Sequence, residues 1–143
     1  MGITFSEGHL SKAVTIRVLP GSDVIEGIEE ACQNLGIKSG AIISCIGSLQ
    51  RASVLVAEGP LELLSGQGTI GREEEGEIIT VHIHGVVSDK EGHLHGGHLV
   101  RGENPVLITC EVMVAQLLKR IMIYFLQKEK KMPKNRMYSN RPL

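Results

Sequence analysis

Short runs of alternating apolar and polar residues, separated by glycine-containing turns, recur along most of this chain. One run, residues 14–18, stops at Pro20-Gly21, and another covers residues 78–88. A third, VLITCEVMVAQLL at residues 106–118, alternates over most of its length and predicts a central strand. Side chains two positions apart in a β-strand point to the same face, so these runs predict strands that are buried on one side.

One early segment departs from this pattern and has the spacing of an α-helix. In DVIEGIEEACQNLG, residues 23–36, apolar side chains recur at intervals of three and four. Ser22 or Asp23 can cap its first turn, and Gly36 can end it. One helix followed by many strands predicts an α+β fold, in which a mostly antiparallel β-sheet packs against the early α-helix.

The composition fits this sheet-rich prediction. The 143 residues include 17 glycines but only two Phe, two Tyr and no Trp. A core without large aromatic side chains must be built from Val, Ile and Leu, which suit strands. The length is that of a single domain, and it is sufficient to bury a core without disulfides.

The cysteines and the lengths of the apolar segments predict the cellular compartment of the protein. Cys32, Cys45 and Cys110 are odd in number, far apart and set among apolar residues. They are predicted to be buried free thiols in a reducing compartment. The sequence begins with no secretory leader, and no apolar stretch reaches the ~18 residues that span a membrane. We therefore expect a cytoplasmic protein.

Charge is divided unevenly along the chain. Residues 1–116 carry 7 Lys/Arg against 15 Asp/Glu, whereas residues 117–143 carry 8 Lys/Arg and the single acid Glu129. The main body would repel nucleic acid, and the basic tail would attract it. The candidate phosphate contacts are Lys128, Lys130, Lys131, Lys134 and Arg136. The alternative is an extended or disordered tail that only solubilises the protein.

Five of the six histidines lie in the short stretch VHIHGVVSDKEGHLHGGHL. They are His82, His84, His93, His95 and His98. Two H-x-H pairs flank a predicted turn at residues 88–92, and a hairpin there would bring the pairs together. His98 follows Gly96-Gly97, which let the backbone turn sharply. Converging imidazoles bind divalent transition metals such as Zn²⁺, and the lack of clustered cysteines favours an open site with water in the remaining position.

Two other interpretations of this stretch stay open. The protein could be a metal-dependent enzyme that uses a metal-bound water in a hydrolase-like reaction, with Glu111 or Asp89 as general base. Glu111 draws attention because its strand is otherwise apolar, and a buried carboxylate there would need a partner such as Arg51 or Arg101. Alternatively, the histidines belong to a structural or interaction module that requires no metal. The sequence names no catalytic residue, and a binding role is favoured over catalysis.

Five motifs, in order, resemble the plants-and-prokaryotes-conserved (PPC) domain in its stand-alone prokaryotic form. They are RVLPGSDVIEGIEEACQNLGI, SGAIISCIGSLQRASV, GPLELLSGQGTI, HIHGVVSDKEGHLHGGHL and VLITCEVMVAQL. The resemblance covers about residues 13–117. It implies a single PPC-like domain over residues 1–117. Residues 118–143 would then form a last strand or helix and the basic tail.

The resemblance also implies partners and ligands. It implies a homotrimer, a DNA-binding or regulatory accessory role, and a metal site, with zinc as the expected ion, at His82, His84 and His98. This sequence departs from the family at His93 and His95, where other residues are usual; we expect His95 to be an additional ligand or to support one, and His93 to be exposed. Plant members grip DNA through attached AT-hooks, but this sequence has no Arg-Gly-Arg-Pro core of an AT-hook.

Overall fold

The computed structural model of this chain describes residues 7–54, 58–73 and 79–118, and the backbone of 123–124. Its elements, in chain order, are β1 (His9–Val18), α1 (Val24–Leu35), β2 (Gly40–Arg51), β3 (Glu58–Glu73), β4 (Ile79–Ser88), β5 (Leu94–His98), β6 (Val106–Leu118) and β7 (Ile123–Tyr124).

The strands form one sheet, in the order β1-β6-β2-β3-β4-β5, with β7 paired to β3. Every pairing along this path is antiparallel, and only the two-residue β7 is parallel to its neighbour. The alternating strand β6 lies between β1 and β2, as predicted for a central strand. The predicted mostly antiparallel sheet with one early helix is confirmed for the described residues.

Helix α1 begins and ends at the predicted residues. The Asp23 carboxylate accepts hydrogen bonds from the backbone N–H groups of Ile25, at 2.9 Å, and Glu26, at 3.1 Å. These bonds satisfy donors that have no partner within the helix. Gly36 ends the helix in the left-handed region, at φ 66°.

The core is aliphatic and lies between α1 and one face of the sheet. Helix α1 packs against β1, β4 and β6. The largest fully buried side chains are Ile25, Ile28, Ile37, Leu49, Leu61, Leu63, Ile70, Ile83, Leu99, Val24, Val87 and Val106. All three cysteines are buried and free, as predicted, and the sulfurs of Cys45 and Cys110 lie 3.5 Å apart.

The predictions on cellular location, domain boundary and the basic tail are not tested by the described residues. In the part of the chain that the structure describes, no helix is long and apolar enough to cross a bilayer. The cytoplasmic location and the domain boundary at residue 117 stay predictions. The basic tail lies outside the described residues.

Asp23 joins the helix to the loop before β6, and we expect its replacement to be costly. Its second carboxylate oxygen accepts the backbone N–H of Asn104 at 2.7 Å, and both residues are buried. Asp23→Ala removes the helix cap, at about 1 kcal/mol, and leaves a buried N–H unpaired, at about 1–3 kcal/mol. Urea unfolding should therefore show a loss of about 2–4 kcal/mol. Asp23→Asn, which keeps a cap acceptor, should lose less, and equal losses in the two variants would contradict this account.

Candidate metal centre

Strand β4 places two histidines on the exposed face of the sheet. Its residues alternate strictly, so Val81 and Ile83 enter the core while His82 and His84 point away from it. This alternation follows from the two-residue period of a strand. The pattern visible in VHIHGVV is therefore sufficient to predict which face carries the imidazoles.

Strand β5 supplies the third histidine through its pairing with β4. His84 and His98 are directly opposite in the antiparallel register. The centroid of the His82 ring lies 4.9 Å from that of His84 and 4.8 Å from that of His98, and the His84 and His98 centroids are 5.6 Å apart. The three rings thus form a compact triangle on the outer face of the hairpin.

The donor atoms of this triangle suit one divalent ion. One ring nitrogen from each of His82, His84 and His98 lies within 4.8 Å of the others, and all three residues are exposed. Nitrogens bound to one tetrahedral ion at 2.0–2.1 Å are about 3.4 Å apart. Modest rotations of the three rings are therefore sufficient to bring their nitrogens within bonding distance of one ion. Burial, and then the neighbouring His84, lower the pKa of His82, which favours the neutral imidazole that a metal requires.

A close approach between β3 and β4 fixes the backbone at His82. Gly68 and Thr69 of β3 pair with Ile83 and His82. A Cβ atom built on Gly68 would lie 2.0 Å from the carbonyl oxygen of His82, well inside contact distance. Only glycine allows the two strands to approach this closely here.

The loop after His98 is held by a polar network, anchored by the buried residues Asp23 and Asn104, that the sequence analysis did not identify. The backbone N–H of Val100 donates to the Ser53 hydroxyl at 2.7 Å, and that hydroxyl lies 3.2 Å from the carbonyl oxygen of His98. The side-chain oxygen of Asn104 accepts from the backbone N–H of Ser53 at 3.0 Å, and Asp23 accepts from the Asn104 N–H. The only sequence signal is an asparagine before proline in GENP, which indicates a turn rather than an anchor.

The remaining two histidines of the stretch turn toward Asp89. His95 Nε2 lies 3.1 Å from Asp89 Oδ2, and His93 Nδ1 lies 3.2 Å from the same oxygen. Desolvation acts to raise the pKa of Asp89, but hydrogen bonds from His95 and from the ring and backbone of His93 outweigh it and lower the pKa to about 2. His93 is exposed, as predicted. The role of His95 as a further ligand at the three-histidine site stays a prediction, since its ring is engaged with the turn.

Glu111 does not lie beside the histidines within one chain. It is an exposed residue of β6, opposite Arg17 and Ile46 of the flanking strands. Two strands separate β6 from β4, which places Glu111 on the order of 14 Å from the histidine face. The single chain therefore gives no support to Glu111 as a general base at this site. Neither predicted partner forms an ion pair with Glu111 among the described residues. Arg101 instead contacts Glu26 and Glu29, both at 2.8 Å. The described contacts of Arg51 include no ion pair.

The predicted nucleic-acid contacts cannot be placed on this fold. Lys128, Lys130, Lys131, Lys134 and Arg136 all lie outside the described residues. Their role stays a prediction.

Comparison with curated proteins finds a match to part of a much longer protein. The chain is 29% identical over 112 residues to the bifunctional protein GlmU of Synechococcus sp. strain JA-3-3Ab. The matched region is 73% of this chain but 17% of that protein, so the chain spans only a small part of the curated relatives it matches.

Solved structures match nearly the whole described fold. A plant- and prokaryote-conserved (PPC) protein of Pyrococcus horikoshii has a TM-score of 0.72 at 24% identity, covering 82% of this chain and 87% of that one. A protein of Archaeoglobus fulgidus described as metal-containing has a TM-score of 0.66 at 28% identity, covering 80% and 86%. A Bacteroides thetaiotaomicron protein described as a "putative dna binding protein" has a TM-score of 0.67 at 17% identity, covering 80% and 87%, which shows a shared fold.

A family model agrees with these structures and with the five motifs seen in the sequence. It matches residues 5–118, which include every described strand of the main sheet path and the helix. The chain therefore belongs to the Plants and Prokaryotes Conserved domain family.

Proposed function

We propose that this protein is a metal-binding homotrimer that serves as a DNA-binding or regulatory accessory protein. The observation that carries the proposal is the convergence of the His82, His84 and His98 rings, with centroids 4.8–5.6 Å apart. Three exposed imidazoles in contact with one another gain little as a core, because they bury little surface. They form a ready-made donor set for one transition-metal ion.

Zinc is the ion that this donor set fits best. Three imidazole nitrogens with a remaining position open to solvent are a common zinc arrangement, and no thiolate lies in the described cluster. The A. fulgidus relative, at 28% identity, is described as metal-containing, which supports a metal in this branch of the family. Binding would join β4 to β5 through side chains as well as through the backbone.

An apolar outer sheet face supports the trimer. Helix α1 covers the inner face, yet Ile46, Val86 and Met113 project from the outer face and are 47%, 38% and 41% exposed. Val86 follows His82 and His84 on the same face of β4, so the apolar surface continues to the histidines. No described segment of the chain covers this surface. Association of copies would remove this apolar surface from water. Large exposed apolar patches commonly mark sites of protein association.

The basic tail supports contact with DNA. The body of the protein carries an excess of acids, so the tail is the part of the chain that phosphates would attract. A trimer would present three tails, and cations that neutralise phosphates give affinity without base-specific contacts. The description of the B. thetaiotaomicron neighbour as DNA-binding is in line with this role, although at 17% identity it shows only the fold.

Removing two of the three imidazoles should abolish stoichiometric metal binding. We expect His84→Ala/His98→Ala to lose the zinc ion that this site holds in the unaltered protein, because one imidazole cannot retain it. Elemental analysis after dialysis against a fixed zinc concentration measures the difference between the two proteins. His9→Ala, which removes an exposed histidine of β1 outside both the triangle and the Asp89 turn, is the matched control and should leave the zinc content unchanged. Full retention of that ion in the double variant would refute the site.

Zinc affinity at the triangle should fall at acidic pH. Imidazoles must be neutral to bind, so protons compete with zinc below the ordinary histidine pKa of about 6.5. The pKa of His82 is lowered, so His82 stays neutral to lower pH than an ordinary histidine. Calorimetric titration should therefore show affinity that is level above about pH 7.5 and declines below about pH 6.5. An affinity unchanged down to pH 5 would contradict imidazole ligation.

A charge on the apolar face should break the trimer. Ile46→Lys places a cation in the proposed contact beside Glu111 of β6, and association would then have to desolvate both charged groups. Light scattering coupled to gel filtration should give three times the chain mass for the unaltered protein and a smaller mass for the variant. Leu35→Lys, on the exposed side of α1, is the control and should stay trimeric. A monomeric unaltered protein would overturn this part of the proposal.

Deleting the tail should lower the affinity for DNA and should also reduce the dependence of that affinity on salt concentration. A chain ending at Gln127 loses six cations and one acid. Each lost phosphate contact reduces the slope of log affinity against log salt by roughly 0.9. Fluorescence anisotropy with a duplex of mixed sequence measures both quantities. An unchanged affinity and slope would exclude the tail as the DNA contact.

A further inference from the structure

The tip of the β4–β5 hairpin carries a second group of metal-ligating side chains, separate from the histidine triangle. One oxygen each from Asp89 and Glu91 and one ring nitrogen of His93 lie within 4.8 Å of one another. His95 lies outside that set, but its Nε2 is 3.1 Å from Asp89 Oδ2. Two imidazoles and two carboxylates thus come from seven consecutive residues.

The turn itself orients Asp89 for this role. Asp89 Oδ1 accepts the backbone N–H groups of Glu91, at 3.0 Å, and His93, at 2.9 Å. Gly92, at φ 85°, provides the left-handed conformation that folds the chain back. The second oxygen, Oδ2, is left to face both imidazoles. Only 19% of the Asp89 side chain is exposed, so its position is restricted before any ligand arrives.

The distances from Asp89 to the two imidazoles match those between neighbouring ligands of a single ion. Bonds of 2.0–2.2 Å from an ion to nitrogen and oxygen place neighbouring donor atoms about 3.0–3.4 Å apart. The two imidazole nitrogens lie 3.1 and 3.2 Å from Asp89 Oδ2. Lys90 contacts Glu91 at 3.5 Å, but both side chains are more than half exposed, so this contact is readily exchanged.

We propose that Asp89, His93 and His95, with Glu91, form a second site for a divalent transition-metal ion such as Zn²⁺. The site differs from the triangle in chemistry, because it mixes nitrogen and oxygen ligands. It also differs in position. His95 pairs opposite the buried Val87, three residues before His98, which corresponds to roughly 10 Å along the strand.

A bound ion at the tip of the hairpin would hold the start of β5 close to the end of β4. This strand has five residues and pairs only with β4 among the described strands. Asp89 follows the end of β4, whereas His93 directly precedes β5 and His95 is the second residue of that strand. An ion that bridges them would resist fraying of the hairpin and so keep His98 opposite His84.

The test uses a variant that lacks the three histidines of the triangle and measures whether zinc still binds. The full-length variant His82→Ala/His84→Ala/His98→Ala is titrated with zinc chloride by calorimetry, and metal is counted after gel filtration. We expect it to bind about one zinc ion per chain. Adding Asp89→Asn should abolish this binding while the turn persists, because the asparagine oxygen can still accept the two backbone bonds. Adding Glu103→Gln, an exposed acid outside both groups, is the control and should leave binding intact.

The outcomes separate this site from the triangle. No zinc binding by the folded triple variant, or binding that survives Asp89→Asn, would overturn the second site whatever the triangle does. If the triple variant fails to fold, the unaltered protein is titrated by NMR instead. The side-chain signals of His93 and His95 should then shift with zinc, and unchanged signals at saturation would overturn the proposal. Failure of the triangle alone would appear as equal metal content in the unaltered protein and the triple variant.

Discussion

The antiparallel register of β4 with β5 is the constraint on which the candidate metal centre depends. It sets His98 opposite His84, and the strand period sets His82 beside them on the outer face. A slip of one residue would turn His98 toward the other face and put a glycine in its place. The register is fixed on the β4 side by buried Ile83 and Val87 and at the turn by Asp89. Core packing therefore determines where the exposed imidazoles meet.

The same register is tied to the helix through a chain of polar contacts. Asp23 caps α1 with one oxygen and holds Asn104 with the other. Asn104 accepts from Ser53, and Ser53 accepts from the loop directly after His98. Asp23 and Asn104 are buried, so the bond between them is costly to lose, because the groups left behind would be desolvated. The first turn of the helix thus stabilises the strand end that carries a candidate metal ligand.

Local patterns in the sequence predicted the parts of this structure that depend on near neighbours. Alternation predicted the strands and the face of His82 and His84, and Asp23 and Gly36 predicted the limits of the helix. Long-range order was harder to predict. Nothing local shows that two strands separate Glu111 from the histidines, or that Asn104 reaches Ser53 across 51 positions. The pairing of His95 with Asp89 also depends on the exact fold of the turn, so spacing alone could not divide the five histidines into two groups.

The most direct measurement is zinc K-edge X-ray absorption on the protein loaded with one zinc ion per chain. Scattering from the outer atoms of imidazole rings counts the histidines bound to the metal. The account predicts three imidazoles with nitrogens at about 2.0–2.1 Å, and no sulfur at about 2.3 Å. Loss of this three-imidazole signal in His84→Ala/His98→Ala would assign two of its ligands to β4 and β5. A sulfur shell, or a single imidazole in the unaltered protein, would contradict the three-histidine centre.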